Sequence, residues 1–503
     1  MKMKPRIPIL SLITISLLLA VSIASALTHL SNANAQTTTI LSAYPSWFFN
    51  GKDSGENMGS AVSGVGDVNG DGKADVLVGA QKHSLTLYRE GAAFLFYSSG
   101  GGLSSFPDWK MGSGQQGSLF GCATDYLGDV NADGYDDIVV GACEYNLLDG
   151  STVTKSKVGA AYIYYGGPNF AAKTSSDWSL LGDQADAKLG SAVSGYINEH
   201  QSSAIKYADL LIGTPFYNFE EKTNNGRVSL YLGSVSGLAN SPDWEVFGEN
   251  SAALFGTSLD NAGDVNGDGY EDVIIGAPRP TNVGYAYVYH NSASGLSTSF
   301  SWRVSDEKGG SSFGASVAGV GDVNNDGYDD VLVGAPNKKV LIDGLIQSAG
   351  CVFLYLGSSS GLGTTPSWEN CSNQPGSMFG ASVAAAGDMN GDGYADFLVG
   401  VPFYSVNNEK QGAVYLFFGS SGSIGVKSDY FESTFGNKAD TEFGSSVSSA
   451  GDVNNDGLLD VIVGAPNYKA SGIRVGRVMT YYAGIAGIPD EDFFQVFIPI
   501  VQK

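Results

Sequence analysis

The sequence predicts an all-β fold, a seven-bladed β-propeller built from four-stranded blades. Three observations predict it. The pattern Asp-x-Asn-x-Asp-Gly-x-x-Asp occurs six times in 503 residues. Its copies start 62, 135, 58, 66 and 64 residues apart, so the long gap conceals a seventh, degenerate unit. Each unit divides into four short strand-like pieces separated by turns rich in Gly, Ser and Asp.

The chain opens on Lys2, Lys4 and Arg6, followed by an apolar run from Ile7 to about Ala20. That order reads as a secretion signal over residues 1–35, cleaved after Ala26 or Ala35, with an uncleaved membrane anchor as the alternative. The propeller is expected over 40–485 and a tail over 486–503. Within a unit the first strand carries small residues, as in Phe313-Gly314-Ala315-Ser316-Val317, which suits seven strands crowding a central axis. The repeated loop follows, then a β-branched strand such as Val331-Leu332-Val333-Gly334-Ala335-Pro336. The third strand is Gly-led and aromatic, as in Gly284-Tyr285-Ala286-Tyr287-Val288-Tyr289. A Ser/Gly turn ending in Gly-Leu leads to the fourth, marked by Trp109, Trp178, Trp244, Trp302 or Trp368. One Trp per unit reads as packing between blades rather than as a sugar platform.

The third unit keeps both flanking strands, with residues 189–195 matching 58–64, and retains Asp209. Asn198 and His200 stand where the first ligands would be, so this blade is expected to lack a calcium loop. Trp47 precedes the first unit and looks like a fourth strand without a blade of its own. It is expected to complete blade 7 and remove its open edge, with the tail segment 493–497 as the competing candidate.

The six loops offer a dense set of oxygens. In chain order, the Asp and Asn side chains with the seventh-position backbone carbonyl are Asp67, Asn69, Asp71, Lys73 and Asp75; Asp129, Asn131, Asp133, Tyr135 and Asp137; and Asp264, Asn266, Asp268, Tyr270 and Asp272. The remaining three sets are Asp322, Asn324, Asp326, Tyr328 and Asp330; Asp388, Asn390, Asp392, Tyr394 and Asp396; and Asp452, Asn454, Asp456, Leu458 and Asp460. Alternating oxygens around a Gly at position six can wrap a hard cation, and calcium tolerates such irregular shells better than magnesium. No Cys or His lies in these loops, which argues against zinc or copper. An EF-hand would need Glu at position twelve and a following helix; here position twelve is Val or Ile and the next segment reads as a strand. About six calcium ions, one per loop, are expected, in a structural role.

Phe-Gly pairs recur at Phe120-Gly121, Phe255-Gly256, Phe313-Gly314, Phe379-Gly380 and Phe443-Gly444, and Gly-Ala-Pro triplets at Gly276-Ala277-Pro278, Gly334-Ala335-Pro336 and Gly464-Ala465-Pro466. On these residues the units resemble FG-GAP repeats, the seven-bladed propeller of integrin alpha subunits. The resemblance implies an adhesion or protein-interaction module that meets partners on the propeller face opposite its calcium loops. Six loops exceed the three or four usual in that family, and neither leg domains nor a membrane span follow, so a heterodimeric receptor role is not implied.

Formal charge is −24. Eighteen of the 51 acidic residues are loop Asp, and six divalent ions would bring the charge to −12. The acidity is largely a metal feature and argues against nucleic acid as a partner. Cys122 and Cys143 lie on the first two strands of blade 2, and Cys351 and Cys371 on the last two of blade 5. Antiparallel neighbours can face each other, so both pairs suit disulfides in an exported protein, free buried thiols being the alternative.

No catalytic residues are expected. The four His residues (His29, His83, His200 and His290) are scattered, and the two Gly-x-Ser-x-Gly matches at 310–314 and 357–361 fall at a strand start and in a turn. A nucleophile elbow needs a strand-turn-helix setting. Function is expected on the face opposite the calcium loops, where connections vary in length and carry Tyr145, Phe216, Tyr217, Phe219, Phe403, Tyr404 and Tyr468. An extracellular protein or glycan is the expected partner, for a protein that is secreted or at the cell surface. A calcium-dependent lectin is the alternative; it predicts several equivalent sugar pockets, whereas these loops differ between blades. The competing reading is that the aromatics only pack under their own loops.

Overall fold

The computed structural model describes residues 39–41, 44–197, 206–279, 281–306, 309–407, 409–421, 428–432 and 440–485. The secretion signal, Asn198 and His200, and the 493–497 tail lie outside them. Seven four-stranded antiparallel sheets form the blades of a propeller. Blade 1 is Met58–Gly64, Val76–Ala80, Ala92–Phe96 and Trp109–Met111, and blades 2 to 6 follow in sequence order.

Ring closure follows the expectation from Trp47. Blade 7 takes Ser446–Gly451, Asp460–Ala465 and Arg477–Tyr481 from the end of the chain and Trp47–Asn50 from its start. The register pairs Trp47 with Thr480 and Asn50 with Arg477. A second short pair, Thr39–Leu41 against Ala483–Ile485, extends the seam.

Strand position within a blade explains composition. Every residue of the second strand is buried in all seven blades, because both of its faces meet neighbouring blades. That is why these strands read as unbroken apolar runs instead of alternating. First strands line the axis, where Ser60, Ala61, Thr124, Ser258, Ser316, Ser382 and Ser446 leave a narrow channel.

Blades are joined by a repeated stitch. Each Trp side chain packs edge-on against an aromatic ring of the next blade, as in Trp109 on Tyr164 and Trp302 on Tyr355. In four of them the indole N–H also reaches a carbonyl in that blade's outer turn. Trp47 donates to Ser104, Trp109 to Lys173, Trp244 to Ser297 and Trp302 to Gly363. The Phe-Gly pairs have a matching role. Phe120, Phe255, Phe379 and Phe443 each form a parallel bridge to the Gly that precedes the third strand of the previous blade. Both cysteine pairs are disulfides. Cys122–Cys143 has a Cα separation of 6.3 Å, and Cys351–Cys371 joins directly paired residues at 4.0 Å.

Candidate metal centres and the opposite face

The six loops connect first to second strands, so all lie on one face of the ring. In blades 4 to 7 the first strand ends in a bulge at a Gly paired with the ninth-position Asp, for example Gly263 with Asp272. This Gly immediately precedes the first Asp of the loop, and its φ is +66° to +74° at Gly66, Gly128, Gly263, Gly321, Gly387 and Gly451. Few other residues adopt that conformation.

Each loop has the same internal hydrogen bonding. Oδ2 of the first Asp accepts the N–H of the position-six Gly at 2.6–2.8 Å, as from Gly72 to Asp67 and from Gly457 to Asp452. The Asn at position three accepts the N–H of position five, and the Asp at position five accepts that of position seven. The backbone is thereby coiled, with the side chains of positions one, three and five facing inward.

The ninth-position Asp closes each loop from below. Asp75, Asp137, Asp272, Asp330, Asp396 and Asp460 are all fully buried at the start of the second strand. Oδ1 of each accepts an N–H from beyond the third strand, such as Gly166 to Asp137 or Ala483 to Asp460 at 2.8–2.9 Å. Burial, with the nearby loop carboxylates adding to it, pushes Asp75 and Asp272 up to about 8. The same causes bring Asp137, Asp330, Asp396 and Asp460 to about 7. Asp75 Oδ2 is buried without a hydrogen-bond partner among the described residues. A cage of carboxylates with an orphaned buried oxygen and suppressed ionisation is the donor set a hard divalent cation would satisfy. Asp209 occupies the same closing position in blade 3, buried and raised to about 7, with its Oδ1 accepting from Gly233.

Sequence reasoning missed the residue at position eight. Asp136 Oδ2 accepts the N–H of Asp67 in the preceding blade at 2.7 Å, and Asp329 Oδ2 accepts that of Asp264 at 2.8 Å. The doublets Asp136-Asp137 and Asp329-Asp330 were visible, but their partners lie 69 and 65 residues away.

The opposite face is built from connections between second and third strands. In four blades these grow into hairpins: Leu147–Asp149 with Thr152–Lys155, Lys339–Ile342 with Leu345–Ser348, Ser405–Val406 with Glu409–Lys410, and Lys469–Ala470 with Ile473–Arg474. The aromatic residues expected there are on this face, and each is engaged. Tyr145 meets Tyr162, Lys188 lies over Phe216, Arg227 lies over Tyr217, and Phe219 stacks on Phe247 at 3.8 Å. Phe403 has Lys410 over its ring, and Tyr404 meets Tyr415. Tyr468 is only 5 % exposed, beneath Arg477. The more exposed apolar surface lies at the blade 5 hairpin, where Leu341, Leu345 and Ile346 are 72 %, 65 % and 75 % exposed. A groove of about 510 Å³ runs between this hairpin and residues 309–311. Its sequence signal is the Asp343-Gly344 turn between two apolar runs.

Comparison with known proteins agrees with this geometry. The FG-GAP repeat model matches residues 58–96, 379–417 and 443–478, and the FG-GAP-like repeat model matches 264–333. Integrin alpha-5 of Xenopus laevis is 31 % identical over 244 residues, covering 48 % of this chain and 22 % of that protein. Integrin alpha-8 of Mus musculus is 33 % identical over 208 residues, covering 41 % and 19 %. Integrin alpha pat-2 of Caenorhabditis elegans is 34 % identical over 214 residues, covering 40 % and 17 %. The matched region thus spans about a fifth of the length of these relatives. The chain is an integrin-alpha-like FG-GAP propeller of seven blades.

Proposed function

We propose that this protein is a secreted or cell-surface adhesion module. In this reading six calcium ions hold one face rigid, and the other face binds an extracellular protein. The observation that carries it is the contrast between the faces. One repeats a single loop design six times; the other differs in every blade and exposes a contiguous apolar hairpin tip beside a groove. An exposed apolar patch rimmed by polar side chains is a common mark of a protein-binding surface. Asp306, Lys338 and Lys339 supply that rim here. The two disulfides favour an oxidising compartment.

The calcium is structural in this reading. Asp67, Asn69, Asp71 and Asp75, with the Lys73 carbonyl, would hold the blade 1 ion, and the matching positions would hold the other five. The ion would supply charge neutralisation; the loop backbone supplies the shape. The test is capture of surface proteins by the full chain, run beside a glycan array, with and without calcium. Leu341→Asp with Ile346→Asp is expected to abolish protein capture at unchanged melting temperature, and Phe216→Ala with Tyr217→Ala tests the blade 3 side of the face. Capture that survives both pairs would refute the assignment of the face. Uniform loss on the glycan array with Ala variants in several blades would favour the lectin reading.

A further inference from the structure

Two of the six loops are clamped by the blade that follows. Tyr135 and Asp136 of the blade 2 loop reach back onto the blade 1 loop. A Cβ added to Gly70, the fourth position of that loop, would lie 2.3 Å from Tyr135 Cε1. A Cβ added to Gly66 would lie 2.1 Å from Asp136 Oδ2. The Asp136 carboxylate accepts the N–H of Asp67 through Oδ2 and the hydroxyl of Tyr126 through Oδ1 at 3.1 Å. The Asp136 N–H also donates to the Asp67 carbonyl at 3.3 Å. Blades 4 and 5 repeat the arrangement with Tyr328 and Asp329. A Cβ on Gly267 would lie 2.5 Å from Tyr328 Cε1, and one on Gly263 2.3 Å from Asp329 Oδ2. The eighth position is Ala74, Ala395 or Leu459 in blades 1, 6 and 7, so no carboxylate reaches back there.

We infer that Asp136 and Asp329 are positioning residues that couple neighbouring calcium loops, so that sites 1 and 2 and sites 4 and 5 fill as pairs while sites 6 and 7 fill singly. The inference rests on the calcium reading of the loops. An ion in loop 2 would be held by Asp129, Asp133 and Asp137, which fixes the backbone that carries Tyr135 and Asp136. Those two residues hold the Asp67 N–H and the Gly70 turn, so loop 1 is ordered before its own ion arrives. A site already ordered loses less entropy on binding, which is positive coupling. Thermodynamic reciprocity requires loop 1 to favour loop 2 by the same factor.

The test is calcium binding to the full chain by equilibrium dialysis, with folding checked by circular dichroism and melting. Asp133→Asn disables loop 2 directly and, through the clamp, is expected to weaken loop 1 about tenfold. Two ions then leave at calcium levels where wild type holds six. Asp392→Asn in blade 6, which lacks a clamp, is expected to release one. In an Asp136→Ala background, Asp133→Asn is expected to act on a single site, and the milder Asp136→Asn keeps an acceptor for Asp67 should the Ala variant fold poorly. Wild type that binds calcium, with Asp133→Asn releasing a single ion, overturns the clamp alone. Wild type that binds no calcium overturns the loop reading and the clamp with it.

Discussion

The guanidinium of Arg477 lies 3.8 Å from the ring centre of Tyr468 and 4.3 Å from that of Phe48, with its Nε donating to Asn50 Oδ1 at 2.7 Å. Phe48 and Asn50 come from the N-terminal strand, so one buried cation ties that strand to the blade it completes. A desolvated cation–π contact contributes about 2 kcal/mol and a hydrogen bond about 1 kcal/mol. Arg477→Met keeps the apolar stem and removes both. A loss of about 2–3 kcal/mol in urea unfolding is expected, and a loss below about 0.5 kcal/mol would show that the seam does not depend on this cation.

Calcium removal should be the largest single perturbation. At tenfold excess over Kd each site contributes about 1.4 kcal/mol, roughly 8 kcal/mol for six independent sites. A chelator is therefore expected to lower the melting temperature steeply; an unchanged melt would refute structural calcium. The metal-free protein should also respond to pH. Its closing Asp residues have folded pKa values raised to about 7–8, above an ordinary value of about 4. A raised carboxyl binds its proton more tightly when folded, so the stability it contributes is lost as pH rises from about 4 through 8. The chelated protein should melt higher at pH 5 than at pH 8, and calcium should remove or reverse that order.

A second carboxylate pair lines the axis, away from the loops. Ser194 donates to Asp260 at 3.2 Å, and Asp125 accepts the Gly195 N–H at 3.2 Å. Enclosure by the ring pushes Asp125 up to about 7, with the Asp260 charge adding to it, and pushes Asp260 up to about 6. Both folded values are raised, so this pair weakens the ring as pH rises from about 4 to 7. In saturating calcium, Asp260→Asn is expected to raise stability at pH 8 by about 1–2 kcal/mol, after allowance for weakened hydrogen bonds, and to change little at pH 5. Equal effects at the two pH values would sink this reading.

The Trp stitches give an internal contrast. Trp244 donates to Ser297 at 2.8 Å, whereas Trp178 Nε1 has no hydrogen-bond partner among the described residues. Replacement by Phe should cost about 1 kcal/mol more at 244 than at 178, the value of one hydrogen bond. Paired thermal melts would measure it, and equal costs would count against the stitch.

Much of the architecture was legible because it repeats at short range. The nine-residue loops, the buried second strands and the unclaimed strand at Trp47 each carry their signal within a dozen residues. The disulfides were legible once strand order was known. What stayed hidden depends on neighbours about 65 residues away: Gly66 is needed because Asp136 lies against it, and Gly70 because Tyr135 does. The exposed tip at Leu341 and Ile346 was hidden for another reason. Apolar runs flanking a turn read as core until the hairpin is seen to stand clear of it. On the same face Tyr468 proved to be buried under Arg477, because an aromatic near a basic residue in sequence gives no depth.

Closure of blade 7 also constrains the order of assembly. Asn50 and Arg477 are 427 residues apart, so Trp47–Asn50, made before any strand of blade 1, is housed only once the third strand of blade 7 follows. Until the third strand of blade 7 emerges, Trp47–Asn50 has no sheet to join, and the ring remains an open arc with two unsatisfied ends. Such an arc exposes strand edges on which a second chain can pair. A chain that stops short of Arg477 has six complete blades in sequence and no closed ring.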